Sequence, residues 1–159
     1  MKINIIGIGK LKEKYLTAGL NEYLKRLSSY AQVKIISLSE YRLPDNCKPK
    51  EIDMALAEEA LSIKKYLKKD DFVIVLDIAG KQVDNYQFCD IIAKAQVNGY
   101  STISFVIGSS HGLAATLKKE AQFRWSFSTL TFPHQLMRLM LVEQIYRTFR
   151  IINNEPYHK

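Results

Sequence analysis

A chain of 159 residues, 47% hydrophobic and 25% charged, has the make-up of a soluble single-domain protein with a proper core. No apolar run is long enough to span a bilayer, the N-terminal MKINIIGIGKLKEKY lacks the length and cleavage site of a signal peptide, and Cys47 and Cys89 have neither CxxC spacing nor histidine neighbours. These features argue against membrane, metal and redox roles and fit a cytoplasmic location. The net charge of +7 is carried by the two ends, with seven basic against three acidic residues in both 1–40 and 100–159, and nine against ten between them. If the ends meet in the fold, they form one basic face suited to an RNA backbone.

Residues 2–8 alternate apolar side chains with Asn4 and read as a strand. The Gly7-Ile8-Gly9-Lys10 that follows is neither a dinucleotide fingerprint nor a P-loop. Residues 11–28 are helical, with Leu16, Leu20, Tyr23, Leu24 and Leu27 on one stripe. Lys10, Lys12 and Lys14 stand at the start of this helix, where cations oppose the dipole, a placement that hints at an anionic partner. Residues 33–38 form a second strand, and 39–49 a polar, mobile loop. An amphipathic helix is expected over 50–68, its Glu58-Glu59 pair solvated rather than catalytic. The run FVIVL over 72–76 is a buried parallel strand, followed by a loop over 77–80 and a helix over 83–95. Residues 102–107 are another buried strand, with a loop over 108–112. Residues 123–127 are a short aromatic strand, and 128–131 a hydroxyl-rich loop.

Pro133 suits the first turn of a helix running from His134 to about Ile152, with Asn153-Asn154 as its stop. Its apolar residues cover more than one face, so burial on two sides is expected, one by its own sheet and the other by a second copy of the chain. Alternating strands and helices give an α/β fold with a mainly parallel sheet flanked by helices. Ligands in such sheets bind beyond the carboxyl ends of the strands, and Leu76, Gly108 and Phe127 each stand at such an end.

Several separated motifs carry a resemblance over essentially the whole chain. They are IGKLKEKY near the N-terminus, VLDIAG at 75–80, FVIGSSHG at 105–112, SFSTLTFPHQLMR and LVEQIYR in the last third, and the closing PYHK. Together they resemble the SPOUT-superfamily ribosomal RNA large subunit methyltransferase H family. Two departures stand out: the family usually has glycine where this chain has Ser109, and another near Asn153-Asn154.

The resemblance implies an α/β fold with a C-terminal trefoil knot, a homodimer, and methyl transfer from S-adenosylmethionine to N3 of a pseudouridine in 23S ribosomal RNA of the large subunit or assembled ribosome. Leu76, Gly108 and the loop of Phe127, Ser128, Thr129, Leu130, Thr131 and Phe132 would supply the cofactor's apolar slot and backbone bonds, with Gly108 allowing close approach. The imide nitrogen must lose a proton, and His158 is the candidate base. Tyr157 would stack on the base or share the proton work, and Arg138 would hold a phosphate or a developing anion. His134 reads as structural or cofactor-adjacent, and His111 as a loop residue. PYHK reads as a docked tail rather than a frayed terminus. Four residues cannot return along a helix on the order of 30 Å long, so the tail is expected to act at the partner subunit's site. The competing reading is a ribosome-associated RNA-binding module without catalysis.

Overall fold

The computed structural model describes residues 1–157. Five strands, β1 (Lys2–Ile8), β2 (Gln32–Leu38), β3 (Asp71–Lys81), β4 (Thr102–Ile107) and β5 (Phe123–Trp125), form one sheet in the order β2-β1-β4-β3-β5. Every pairing among them is parallel. All five carboxyl ends therefore lie along one edge. The sheet is covered on both faces, which explains why the stretch 72–76 of β3 reads as a continuous apolar run.

Strand parity divides the core in two. Ile3 and Ile5 point to one face, packed with Leu20 and Leu27 of α1 (Lys14–Leu27), Phe88 and Ile92 of α3 (Asn85–Val97), and Leu141, Ile145 and Phe149 of α5 (His134–Ile152). Ile6 and Ile8 point to the other, against Ala60 and Ile63 of α2 (Pro49–Lys64) and Leu117 of α4 (Ala115–Glu120). Successive residues of one strand thus serve opposite layers, as the period of two requires.

The elements depart from expectation at their ends. α1 begins three residues late because residues 11–13 stand outside any regular element, Glu13 being extended and the Lys12 amide donating to Gln135 Oε1 at 2.8 Å. α2 starts on Pro49, whose missing N–H suits a first turn, and stops at Lys64, short of residue 68. The segment expected as a loop over 77–80 is the outer part of β3, where the register against β5 shifts between Leu76 and Lys81. The single turn and a half of α4 has too few residues to show a period, and β5 closes at Trp125 rather than residue 127.

α5 runs as the sequence indicates. One face is buried, including Leu141, Val142, Ile145 and Phe149, while Leu136, Leu139 and Met140 on the outside line an open groove with Tyr23. Its stop is made by Asn153 and by Asn154, whose φ of 55° takes the left-handed position expected of a glycine.

Candidate active site at the carboxyl edge of the sheet

The ends of β3, β4 and β5 and the first turn of α5 enclose a cavity of about 330 Å³. Its walls include Leu76, Gly108, Phe127, Ser128, Leu130, Thr131 and Phe132. Thus seven of the eight residues expected to hold a cofactor share one cavity. Thr129 lies in the same loop but is exposed and outside the lining. The loop is shaped from within: Ser126 Oγ donates to the Ser128 carbonyl at 3.0 Å, and Ser128 Oγ accepts from the Leu130 amide at 3.0 Å. These bonds let a run of small hydroxyl residues turn without regular structure. A second, larger hollow of about 630 Å³ lies at the opposite edge, around Met1, Tyr30 and Tyr100, away from the strand carboxyl ends.

Gly108 is needed for a reason different from the expected one. A Cβ there would stand 2.2 Å from the Gly112 carbonyl oxygen and 2.9 Å from Leu113 Cγ. The glycine lets its own loop fold back on itself, and any ligand meets the surface that this close packing creates. His111 and His134 both line the cavity, and His134 Nε2 also faces Gly9. The Lys10–Lys12 stretch is therefore held beside the first turn of α5, at the cavity end of the sheet.

Sequence reasoning missed Asp77 and Lys118, which also line the cavity. Asp77 is buried, accepting from Arg124 at 2.7 and 3.0 Å, from Lys118 Nζ at 3.2 Å and from the Ala79 amide at 3.3 Å. Burial opposes its charge, but the bonds from Arg124, Lys118 and Ala79 outweigh burial and hold the carboxyl below its usual range. The available signal was its place directly after the FVIVL run. Trp125 was also missed; it stacks on Phe88 with centroids 3.8 Å apart and tilts against Phe127 at 4.3 Å, forming a wall of the cavity.

Arg138 does not occupy the exposed position expected of a phosphate clamp. It is 1% exposed, and its guanidinium donates to Ser37 Oγ at 3.0 Å and to the Ile8 and Gly9 carbonyls at 2.9 and 2.6 Å. Burial lowers its pKa, though a guanidinium stays charged. It ties α5 to the ends of β1 and β2, and Gly7 leaves it room, since a Cβ there would stand 2.7 Å from the guanidinium nitrogens. An arginine on a helix edge looks the same in sequence whether its edge meets solvent or strand ends.

The tail is docked as far as Tyr157. Tyr30 donates to Glu155 Oε2 at 2.5 Å, Arg150 pairs with the same carboxylate, and the Tyr157 ring packs edge-on to Tyr146 and against Arg147. Tyr157 donates to Glu143 Oε1 at 3.1 Å and meets the Tyr23 hydroxyl at 3.5 Å. The tail therefore does turn back, and its phenol reaches the middle of α5. Glu143 still stands nine helical steps from His134, about 13 Å along the helix. Burial, then the Tyr23 hydroxyl and the Glu143 carboxylate, push the phenol's pKa upward. At neutral pH it is a donor and not a base. His158 lies outside the described residues.

A parallel α/β sheet with a loop-built cavity at its carboxyl edge is the usual ligand-binding arrangement of such folds, here without the glycine fingerprint of a dinucleotide fold. Among the described residues there is no cluster of metal-ligating side chains, and no helix is long and apolar enough to cross a membrane. The family model described as "Predicted SPOUT methyltransferase" matches residues 1–158, and the chain belongs to that family. Among its relatives, a Clostridium botulinum protein named ribosomal RNA large subunit methyltransferase H is 48% identical over the full length of both chains. A Methanococcus maripaludis protein named putative ribosomal RNA large subunit methyltransferase H is also 48% identical over the full length of both. The crystal structure of a probable methyltransferase from Bordetella pertussis shares the fold, with a TM-score of 0.55 over 92% of this chain and 95% of that one, at 11% identity.

Proposed function

We propose that the chain is an S-adenosylmethionine-dependent methyltransferase of large-subunit ribosomal RNA, acting in the cytoplasm on N3 of a pseudouridine. The observation that carries this reading is the cavity itself. Residues from three separate family motifs, Leu76, Gly108 and the Phe127–Phe132 loop, line one space of a size that suits a small ligand. The full-length relatives named for large-subunit ribosomal RNA point to the substrate.

The residues fit the cofactor. Leu76, Ile107, Leu113, Trp125 and Met137 offer apolar walls for a nucleobase, and the turns at 108–112 and 127–132 bring backbone to the rim. When bound, S-adenosylmethionine supplies an electrophilic methyl group. The chain's own work is then orientation and proton management. The Asp77–Lys118–Arg124 cluster braces the β3 rim, Arg138 fixes the first turns of α5, and the basic segment beside α5 meets phosphates. The Tyr157 phenol, held protonated, orients the base or donates to it, and His158 accepts the imide proton. The family resemblance makes the C-terminal stretch from Ser126 onward part of a trefoil-knotted cofactor site. A homodimer would cover the outer face of α5 and carry each tail toward the partner's cavity.

The test is to incubate the protein with labelled cofactor and large subunits or ribosomes from cells lacking it, then to map the label by nucleoside digestion. Label on the N3-methylated pseudouridine supports the reading. Cofactor binding without transfer to any ribosomal particle would refute the substrate, and the absence of cofactor binding would favour the non-catalytic RNA-binding module.

A further inference from the structure

Glu59 has no part in the function described so far, and its place in the fold is unusual for a glutamate. It sits in the middle of α2 and is only 6% exposed, although the sequence places it beside Glu58 on what reads as a solvated face. Buried carboxylates are rare unless satisfied. Both oxygens of this one are used. Oε2 accepts from Ser109 Oγ at 2.8 Å, and Oε1 accepts from the Tyr41 backbone amide at 3.0 Å. Ser109 belongs to the stretch 108–112, every residue of which lines the cavity. Tyr41 belongs to the irregular segment between β2 and α2, and is 51% exposed. A second bond runs in parallel, from Ser110 Oγ to Glu40 Oε1 at 3.2 Å.

We infer that Glu59 is a positioning residue for the cofactor cavity: its carboxylate holds the 108–112 turn from behind, through the Ser109 hydroxyl, and joins that turn to the segment around Tyr41. This rests on the reading of the cavity as the cofactor site. Glu59 itself does not line the cavity and acts only through Ser109. Besides the Glu59 bond, the turn is fixed by the close packing of Gly108 on Gly112, by the Ser110–Glu40 bond and by bonds of its own. It contains the Gly112 amide bond to the Ser109 carbonyl at 2.9 Å and an isolated bridge between the same two residues, both internal to the turn. External anchorage comes from the carboxylate side. Ser109 stands where the resemblance expects a glycine, which has no hydroxyl to offer, so this anchorage depends on a side chain in which the chain departs from that pattern.

Glu59→Met keeps the length and the buried stem but accepts no hydrogen bond at its end. Glu59→Gln can still accept from the Tyr41 amide and bond Ser109. Ser109→Ala cuts only the cavity-side bond. Losing one to two bonds of ordinary strength predicts that the Kd for S-adenosylmethionine by calorimetry, and its KM, rise about fivefold to tenfold in Glu59→Met. The value of kcat at saturating cofactor stays within about twofold, because the reacting groups are untouched. Glu59→Gln restores affinity to within about threefold. Ser109→Ala weakens binding a few-fold in the wild type and adds nothing in the Glu59→Met background, as coupled residues require. Should Glu59→Met fail to fold, Ser109→Ala alone still decides the matter. A wild-type Kd in Ser109→Ala, or losses that add fully in the double variant, would overturn the inference and leave Glu59 a residue of the core. Failure of the wild-type chain to bind S-adenosylmethionine would overturn the reading of the cavity, and this proposal with it.

Discussion

Replacing Gly108 with alanine separates two accounts of why glycine stands there. If the glycine serves only to admit a ligand, alanine narrows the cavity and leaves the fold untouched. The structure says otherwise, because the added Cβ would lie 2.2 Å from the Gly112 carbonyl oxygen and 2.6 Å from its carbon. Both are backbone atoms, so no flexible side chain can swing away. The turn must open by about 1 Å, and strain of this kind typically costs about 1–3 kcal/mol. For a domain of this length that is a fall in Tm of roughly 3–10 °C. Displacing the turn also moves a wall of the cavity, so the Kd for S-adenosylmethionine should rise at least about tenfold, a misplacement effect of the kind expected for sub-ångström sites. Gly99→Ala is the control. Its φ of 86° also disfavours a side chain, but nothing lies within 4 Å of the added Cβ. It should lose about 1 kcal/mol through backbone strain with cofactor affinity unchanged. Thermal melting and calorimetry on both variants check this. Gly108→Ala with wild-type Tm and wild-type Kd would refute the reasoning.

Arg138→Met should lower stability by about 2–4 kcal/mol, measured by urea unfolding, because it strands two carbonyls and the Ser37 hydroxyl at the strand ends. A stable variant that had lost only methyl transfer would return Arg138 to the role of an anion clamp. Asp77 contributes stability that is present above the ordinary aspartate pKa of about 4 and is lost as pH falls through its depressed folded value. Asp77→Asn should therefore be less stable by about 1–2 kcal/mol at pH 7, with the difference shrinking in acid, and equal differences at pH 7 and pH 2 would contradict the ion cluster. Removing residues 157–159 should leave cofactor affinity intact while eliminating transfer to ribosomal RNA, checked by calorimetry and label incorporation; retained transfer would show that the tail plays no part in the chemistry.

The comparison of sequence with structure divides along physical lines. β1, β4 and α5 were legible to the residue because their apolar patterns run uninterrupted between clear stops. The cavity was legible as three strand ends, since parallel strands with covered faces leave only their carboxyl edge free for a ligand. What escaped was everything decided by tertiary neighbours. α4 is shorter than two helical turns. The Asp77 cluster joins residues 41 and 47 positions apart. Glu59 and Arg138 lie on helix faces that periodicity marks as polar, and only packing turns them inward. The tail's reversal onto Glu143 depends on Tyr30 and Arg150 meeting Glu155, pairs that no local window contains.

Trp125 gives the chain an internal reporter. The sequence has a single tryptophan, so all indole emission comes from one wall of the cavity, between Phe88 and Phe127. A nucleobase entering beside Leu76 and Phe127 would stack on or shield that ring, and the emission would quench or shift. A molecule settling on the outer groove of α5 near Leu136 and Met140 would approach the same indole, because Trp125 and Phe127 line that groove as well. One fluorophore thus stands at the partition between the cavity and the surface proposed for the second subunit, and dilution of the protein and titration of the ligand would be read by the same unlabelled signal.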